Sequence, residues 1–151
     1  LQGDLPNISG KLIKKLAKEI QDISKEIITV VVKAKPEEFE DSSVVKVAIA
    51  FSNVEDNQTD VGNALYFSRA CIPTGNATVW HHIGIYSWRR DTLERFVKLK
   101  PSPLEKSEKL EQLRALEAGI NIHSIVTDEH PIGVDTEKDL EKAENYFRDL
   151  T

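Results

Sequence analysis

The sequence contains no methionine and a single cysteine, Cys71. One thiol cannot close an internal disulfide and suits a reducing compartment, so the cytosol is the expected location. A translated chain starts with Met, and a large residue such as Leu1 ordinarily keeps it. The expectation is therefore that these 151 residues are part of a longer protein. No apolar run approaches the roughly 20 residues that cross a bilayer, so no membrane partner is expected. Basic clusters are also missing, and the net charge is −5, which argues against nucleic acid as a partner. P-loop, GxSxG, HExxH, CxxC and EF-hand patterns are absent. The histidines, His81, His82, His123 and His130, do not fall at metal-ligand spacing. No repeat, low-complexity stretch or interdomain linker is visible. What remains is 40% hydrophobic and 30% charged, the profile of one globular domain with a modest core.

Periodicity supplies the elements. Ser9 to Ile27 reads as a helix, with Leu12, Leu16, Ile20, Ile23 and Ile27 in one stripe. Thr29 to Val32 is a short strand, and Val44 to Phe51 an alternating one. A polar turn from Ser52 to Asn63 leads to a strand from Ala64 to Phe67, antiparallel to the preceding one. His82 to Trp88 is aromatic and β-branched, a buried strand. A short helix follows, with Asp91 as N-cap and Leu93, Phe96 and Val97 inward. Ser102-Pro103-Leu104-Glu105 starts another, with a capping box and proline at the first position. Leu110, Leu113 and Leu116 form its buried side, and Gly119 closes it. Asn121 to Val126 is a strand. Thr136 caps a last helix that buries Leu140, Ala143, Phe147 and Leu150.

Polar residues stand out where they interrupt these patterns. Asp4 follows what looks like a strand end, where open α/β sheets bind ligands and where turn aspartates also occur. Arg69, just past an aromatic strand, can fork onto a carboxylate or phosphate, or form a surface ion pair. His81 and His82 open a strand. Glu108 and Gln112 lie four apart, one helical turn. Such groups beside apolar neighbours suit a polyhydroxylated ligand, and equally a well-capped helical hairpin on a sheet.

Taken together, "LQGD" at Leu1–Asp4, "ALYFSRACIP" at Ala64–Pro73, "HIGIYSWR" at His82–Arg89, "PSPLEKSEKLEQLRAL" at Pro101–Leu116 and "GVDTEKDLEKAE" at Gly133–Glu144 resemble one family. It is the 3-deoxy-manno-octulosonate cytidylyltransferases, or CMP-KDO synthetases. The resemblance runs from end to end of the chain but leaves out the family's amino-terminal CTP-binding half. It implies transfer of CMP from CTP to 3-deoxy-manno-octulosonate (KDO), an acidic sugar of lipopolysaccharide, with release of pyrophosphate and a need for Mg²⁺. It also implies that Asp4 and Asp135 hold the metal. Arg69 would take the sugar carboxylate, and His82, Glu108, Glu111 and Gln112 the sugar hydroxyls, with Gln2 assisting.

The fold implied is α/β: a mixed, nucleotide-diphospho-sugar-transferase-like (Rossmann-like) sheet. Homodimerisation is expected through the Val44–Phe67 hairpin, with sheet edges and apolar surface exposed in an isolated half. Leu5, Cys71 and the long Asn53–Gly62 loop depart from the family pattern without removing a ligand. Two other readings stand beside this one. One is a catalytically inactive acidic-sugar-binding or dimerisation module; the other is a cytidylyltransferase for a different acidic sugar, such as sialic acid.

Overall fold

The computed structural model describes residues 5–51, 60–134 and 137–148. Five strands form it: β1 (Ile27–Lys33), β2 (Lys46–Ala50), β3 (Val61–Ser68), β4 (Trp80–Trp88) and β5 (Ile122–Val126). Among the described residues five α-helices accompany them: α1 (Gly10–Glu19), α2 (Arg90–Phe96), α3 (Pro103–Glu108), α4 (Gln112–Glu117) and α5 (Glu137–Arg148). The strands pair in the order β1-β4-β2-β3-β5, and β5 returns to β1, so the sheet closes. The β1–β5 pair is parallel and the other four are antiparallel. The sheet is therefore mixed, as expected. The exposed edges expected of an isolated half are not found among the described residues, because closure pairs both outer strands.

β1 is the spine. Its sequence IITVVVK is buried at every position except Lys33, which is how a strand covered on both faces reads. Ile27 and Val31 face a cluster with Phe67, Phe96, Leu113 and Ile122. Ile28, Val30 and Val32 face the other way, onto Leu12 and Leu16 of α1 and Ile83 and Ile85 of β4. Gly62 permits a close approach at the start of β3: a Cβ there would lie 2.4 Å from Ile49 Cγ2.

Several expectations need correction. The first helix ends at Glu19, because Asp22 Oδ1 accepts from Ser24 N at 3.0 Å and Ser24 Oγ at 2.7 Å, closing a side-chain turn. Ile23 is thus 82% exposed, and Ile27 belongs to β1 rather than to the helical stripe. Val61 to Asn63 extend β3 instead of the preceding turn; residues 52–59 lie outside the described ones. Arg89, not Asp91, is the N-cap of α2, and Thr92 packs inward with Phe96 while Leu93 and Val97 are exposed.

Half of the capping box at Ser102 forms: Glu105 accepts from Ser102 N at 2.9 Å, while Ser102 Oγ is buried without a hydrogen-bond partner among the described residues. The helix it starts, however, is two. Lys109 adopts a left-handed conformation (φ 57°) and separates α3 from α4. Leu110 and Leu113 are still buried, and Gly119 has the expected positive φ of 73°. Among the described side chains of α5 only Ala143 is buried; Leu140 and Phe147 are exposed. Thr136 and Leu150 lie outside the described residues.

Candidate functional site

The end of β3, the start of β4 and the α3–α4 turn meet on one side of β1. Glu108, the last residue of α3, docks that turn onto β3. Its Oε1 accepts from Ser68 Oγ at 2.9 Å and Tyr66 OH at 3.2 Å, and its Oε2 from Arg69 N at 3.0 Å. Burial opposes ionisation of Glu108. The donors from Arg69, Ser68 and Tyr66 and the nearby guanidinium outweigh it, holding the carboxyl below its usual range. Three of roughly four acceptor positions are thereby engaged.

Arg69 is clamped in turn. Its Nε donates to Glu108 O at 3.1 Å and its Nη1 to Ser42 O at 2.9 Å. It forms no ion pair among the described residues, and only one of its two terminal nitrogens is engaged. The sequence alternative of a surface ion pair is not what is found.

His82 sits on the same side of β1 as the Ile27–Val31 face. β4 carries two extra residues, Gly84 and Ile85, between the positions paired with Thr29 and Val30. This bulge brings Ile85 O to the Thr29 hydroxyl, which donates to it at 2.8 Å. The hydroxyl proton is then used, so Thr29 Oγ1 accepts from His82 Nε2, 2.8 Å away. The ring is fixed as the Nε2–H tautomer, and Nδ1 is left as a hydrogen-bond acceptor. Nδ1 has no hydrogen-bond partner among the described residues, and His82 is 8% exposed. Burial drives the His82 pKa down to about 3, with a minor contribution from His81. The imidazole is therefore neutral at physiological pH. Phe67 meets it edge-on with centroids 5.0 Å apart, and Tyr86 lies at 5.4 Å.

Gln112 opens α4 and is 8% exposed; its amide makes no hydrogen bond among the described residues. Glu111 is exposed and pairs with Arg114 Nη2 at 3.1 Å. Its charge also reaches Tyr86, whose pKa is raised chiefly by burial and secondarily by Glu111. The break at Lys109 means that Glu108 and Gln112 do not share one helical face, contrary to expectation. Instead, α3 ends on β3 through Glu108, and α4 packs beside it.

Gln2, Asp4 and Asp135 lie outside the described residues. Their neighbours do not. Ile132 N donates to Asn7 Oδ1 at 2.7 Å, and Pro6 and Val134 line one cavity of about 490 Å³. Ser9 Oγ further donates to Glu129 Oε1 at 2.7 Å. The chain just after Asp4 and the chain just before Asp135 are thus laced together. No group of three His, Cys, Asp or Glu that could hold a metal occurs among the described residues. A second cavity, about 600 Å³ and lined by Trp88, Arg89, Arg90 and Glu94, lies at the start of α2, away from the polar residues above.

Two contributors to this arrangement were not singled out in the sequence: Thr29 and Lys46. Thr29 is the one polar residue in an otherwise aliphatic run. Lys46 occupies a strand position that reads as outward-facing, but it is fully buried.

A central strand buried on both faces and a mixed sheet accompanied by helices define an α/β protein. The sequence matches the cytidylyltransferase family over residues 1–124, and the chain belongs to that family. The 3-deoxy-manno-octulosonate cytidylyltransferase of Rickettsia massiliae is 41% identical over 151 residues, which is all of this chain and 58% of the relative. Its counterpart from a Methylobacterium species is 48% identical over 144 residues, 95% of this chain and 56% of the relative. A solved CMP:2-keto-3-deoxy-manno-octonic acid synthetase, complexed with CTP, superposes with a TM-score of 0.88 at 34% identity. That match covers 100% of this chain and 61% of the solved one. The chain therefore spans somewhat over half the length of the relatives it matches.

Proposed function

We propose that this chain is the sugar- and metal-binding part of an enzyme that transfers CMP from CTP to KDO, a reaction serving lipopolysaccharide biosynthesis. The observation that carries the reading is the match to KDO cytidylyltransferases along the whole chain, at 41% identity for the Rickettsia massiliae protein. The sheet is read as the carboxy-terminal part of a nucleotide-diphospho-sugar-transferase-like, Rossmann-like sheet. Most CTP contacts are assigned to the part of such relatives that this chain does not span.

In the reaction, the anomeric hydroxyl of the sugar attacks the α-phosphorus of CTP. An oxygen–phosphorus bond forms, the bond to the β-phosphate oxygen breaks, and pyrophosphate leaves. The work is alignment and charge neutralisation, without a protein nucleophile. Arg69 grips the sugar carboxylate through its unengaged terminal nitrogen, held in aim by Glu108 O and Ser42 O. His82 Nδ1 accepts from a sugar hydroxyl. Gln112 supplies its unpartnered amide, Glu111 and the remaining acceptor position of Glu108 take further hydroxyls, and Gln2 assists.

Asp4 and Asp135 are assigned to Mg²⁺. Two carboxylates suit a hard cation that prefers oxygen, and the Asn7–Ile132 bond brings their flanking residues together. Bound there, Mg²⁺ would neutralise charge on the phosphates. We further assign a cytosolic location and a homodimer joined through the β2–β3 hairpin, where Leu65 is 57% exposed at an irregularity in the pairing.

Calorimetry of this chain with KDO tests the sugar half directly. Saturable binding is expected, weakened about tenfold or more by Arg69→Ala, the usual scale for one charge-assisted contact. Turnover is tested in the longer protein, as pyrophosphate release that requires CTP, KDO and Mg²⁺ together. Equal binding of sialic acid would move the assignment to another acidic sugar, and binding without turnover in the longer protein would leave a sugar-binding module.

A further inference from the structure

Lys46 is fully buried, which lysine almost never is without a counter-charge. Its Nζ donates to Asp41 O at 2.8 Å, Val44 O at 2.8 Å and Arg69 O at 2.7 Å. Three acceptors match the three N–H bonds of an ammonium. All three are main-chain carbonyls, and Lys46 forms no ion pair with a carboxylate among the described residues. Its charge is nonetheless felt nearby. It helps to lower the Asp41 carboxyl, after the hydrogen bonds from Ser43, and it adds to the depression of His81, which burial dominates.

The carbonyl of Arg69 is one of its acceptors. The other two belong to the turn that contains Ser42, and Ser42 O accepts from Arg69 Nη1 at 2.9 Å. The ammonium and the guanidinium therefore hold the same turn, and Lys46 holds the Arg69 main chain as well. With Glu108 taking Arg69 N at 3.0 Å, the residue is fixed at its amide, its carbonyl and its side chain.

We propose that Lys46 is a positioning residue for acid recognition: its buried ammonium fixes Arg69 and the 41–44 turn, and adds a second positive charge behind the guanidinium. Lys46 touches no ligand itself. The inference rests on the reading that Arg69 grips the sugar carboxylate. It explains why a strand position that pairs with Ser68 and His81 carries a charge with no access to solvent. An aliphatic residue would fill the space but leave three carbonyls unmet, and a carboxylate partner would cancel the field.

The test compares Lys46→Met and Lys46→Gln with the unaltered chain; the glutamine keeps donors if the methionine variant fails to fold. Two measurements are made. Side-chain ¹⁵N relaxation of Arg69 Nε, without ligand, is expected to show an ordered guanidinium that becomes mobile in the variants. Calorimetry is expected to show affinity for KDO falling about tenfold, while affinity for the neutral KDO amide changes less than about twofold. Equal losses for acid and amide would reduce Lys46 to a packing role and overturn the proposal. An ordered Arg69 in a folded variant would overturn it independently of any ligand. An unaltered chain that does not bind KDO would instead sink the sugar-binding reading beneath it.

Discussion

His82 can be read as a proton-linked switch on stability as well as a ligand contact. The unfolded chain takes up a proton on this imidazole near 6.5, and the folded chain only near 3. Between those values the unfolded state binds more protons, so stability falls as the pH drops. The loss approaches about 1.4 kcal/mol per pH unit, or roughly 2 kcal/mol between pH 6.5 and 5. Denaturant melts at pH 7, 6 and 5 should show this decline, and His82→Asn should make it shallower, leaving the part contributed by His81 and His123, which burial also depresses. That window lies above the range in which carboxyls such as Glu108 begin to contribute. A wild-type slope no steeper than the variant's would mean that His82 is solvated and not held by Thr29. Thr29 itself was legible only as an oddity in the run IITVVV. Its role depends on the β4 bulge, which a single sequence does not announce.

The α3–α4 pair shows the same limit at the scale of elements. Ser102, Pro103 and Glu105 gave the start of α3, because a cap is written in adjacent residues. The break at Lys109 was not readable, since lysine carries no breaker signature and Leu110, Leu113 and Leu116 keep helical spacing immediately after it. What holds the broken pair in place is Glu108, bonded to Tyr66, Ser68 and Arg69 N. These contacts are some forty residues distant in sequence. Glu108→Gln keeps the shape but turns an NH₂ toward one of three donors. The variant should lose about 2–3 kcal/mol in denaturant unfolding, the scale of hydrogen bonds to a charged group. Amide exchange should quicken in α3 and α4 and stay slow in β1. Uniform quickening would show that Glu108 supports the whole core and not this one docking contact.

For the whole molecule, strand identities followed from local patterns, and the mixed sheet from the family resemblance. Closure did not, because the β1–β5 and β3–β5 pairs join segments far apart in sequence. The same kind of long-range pairing bears on the proposed metal site. Asn7 and Ile132 are joined across almost the full length of the chain. If Asp4 and Asp135 act as one metal pair, each should be indispensable for turnover and dispensable for the sugar. Asp135→Ala, in the longer protein, should lower pyrophosphate release by on the order of a thousandfold, matching several kcal/mol of metal-derived stabilisation. Chelation of Mg²⁺ should do the same to the unaltered enzyme and add little to the variant. KDO binding by the variant, measured without metal, should stay within about twofold of the original. Near-normal turnover in Asp135→Ala would remove this carboxylate from the reaction. A parallel collapse of KDO binding would show instead that the loop carrying it shapes the sugar pocket, and the separation of metal and sugar roles would have to be abandoned.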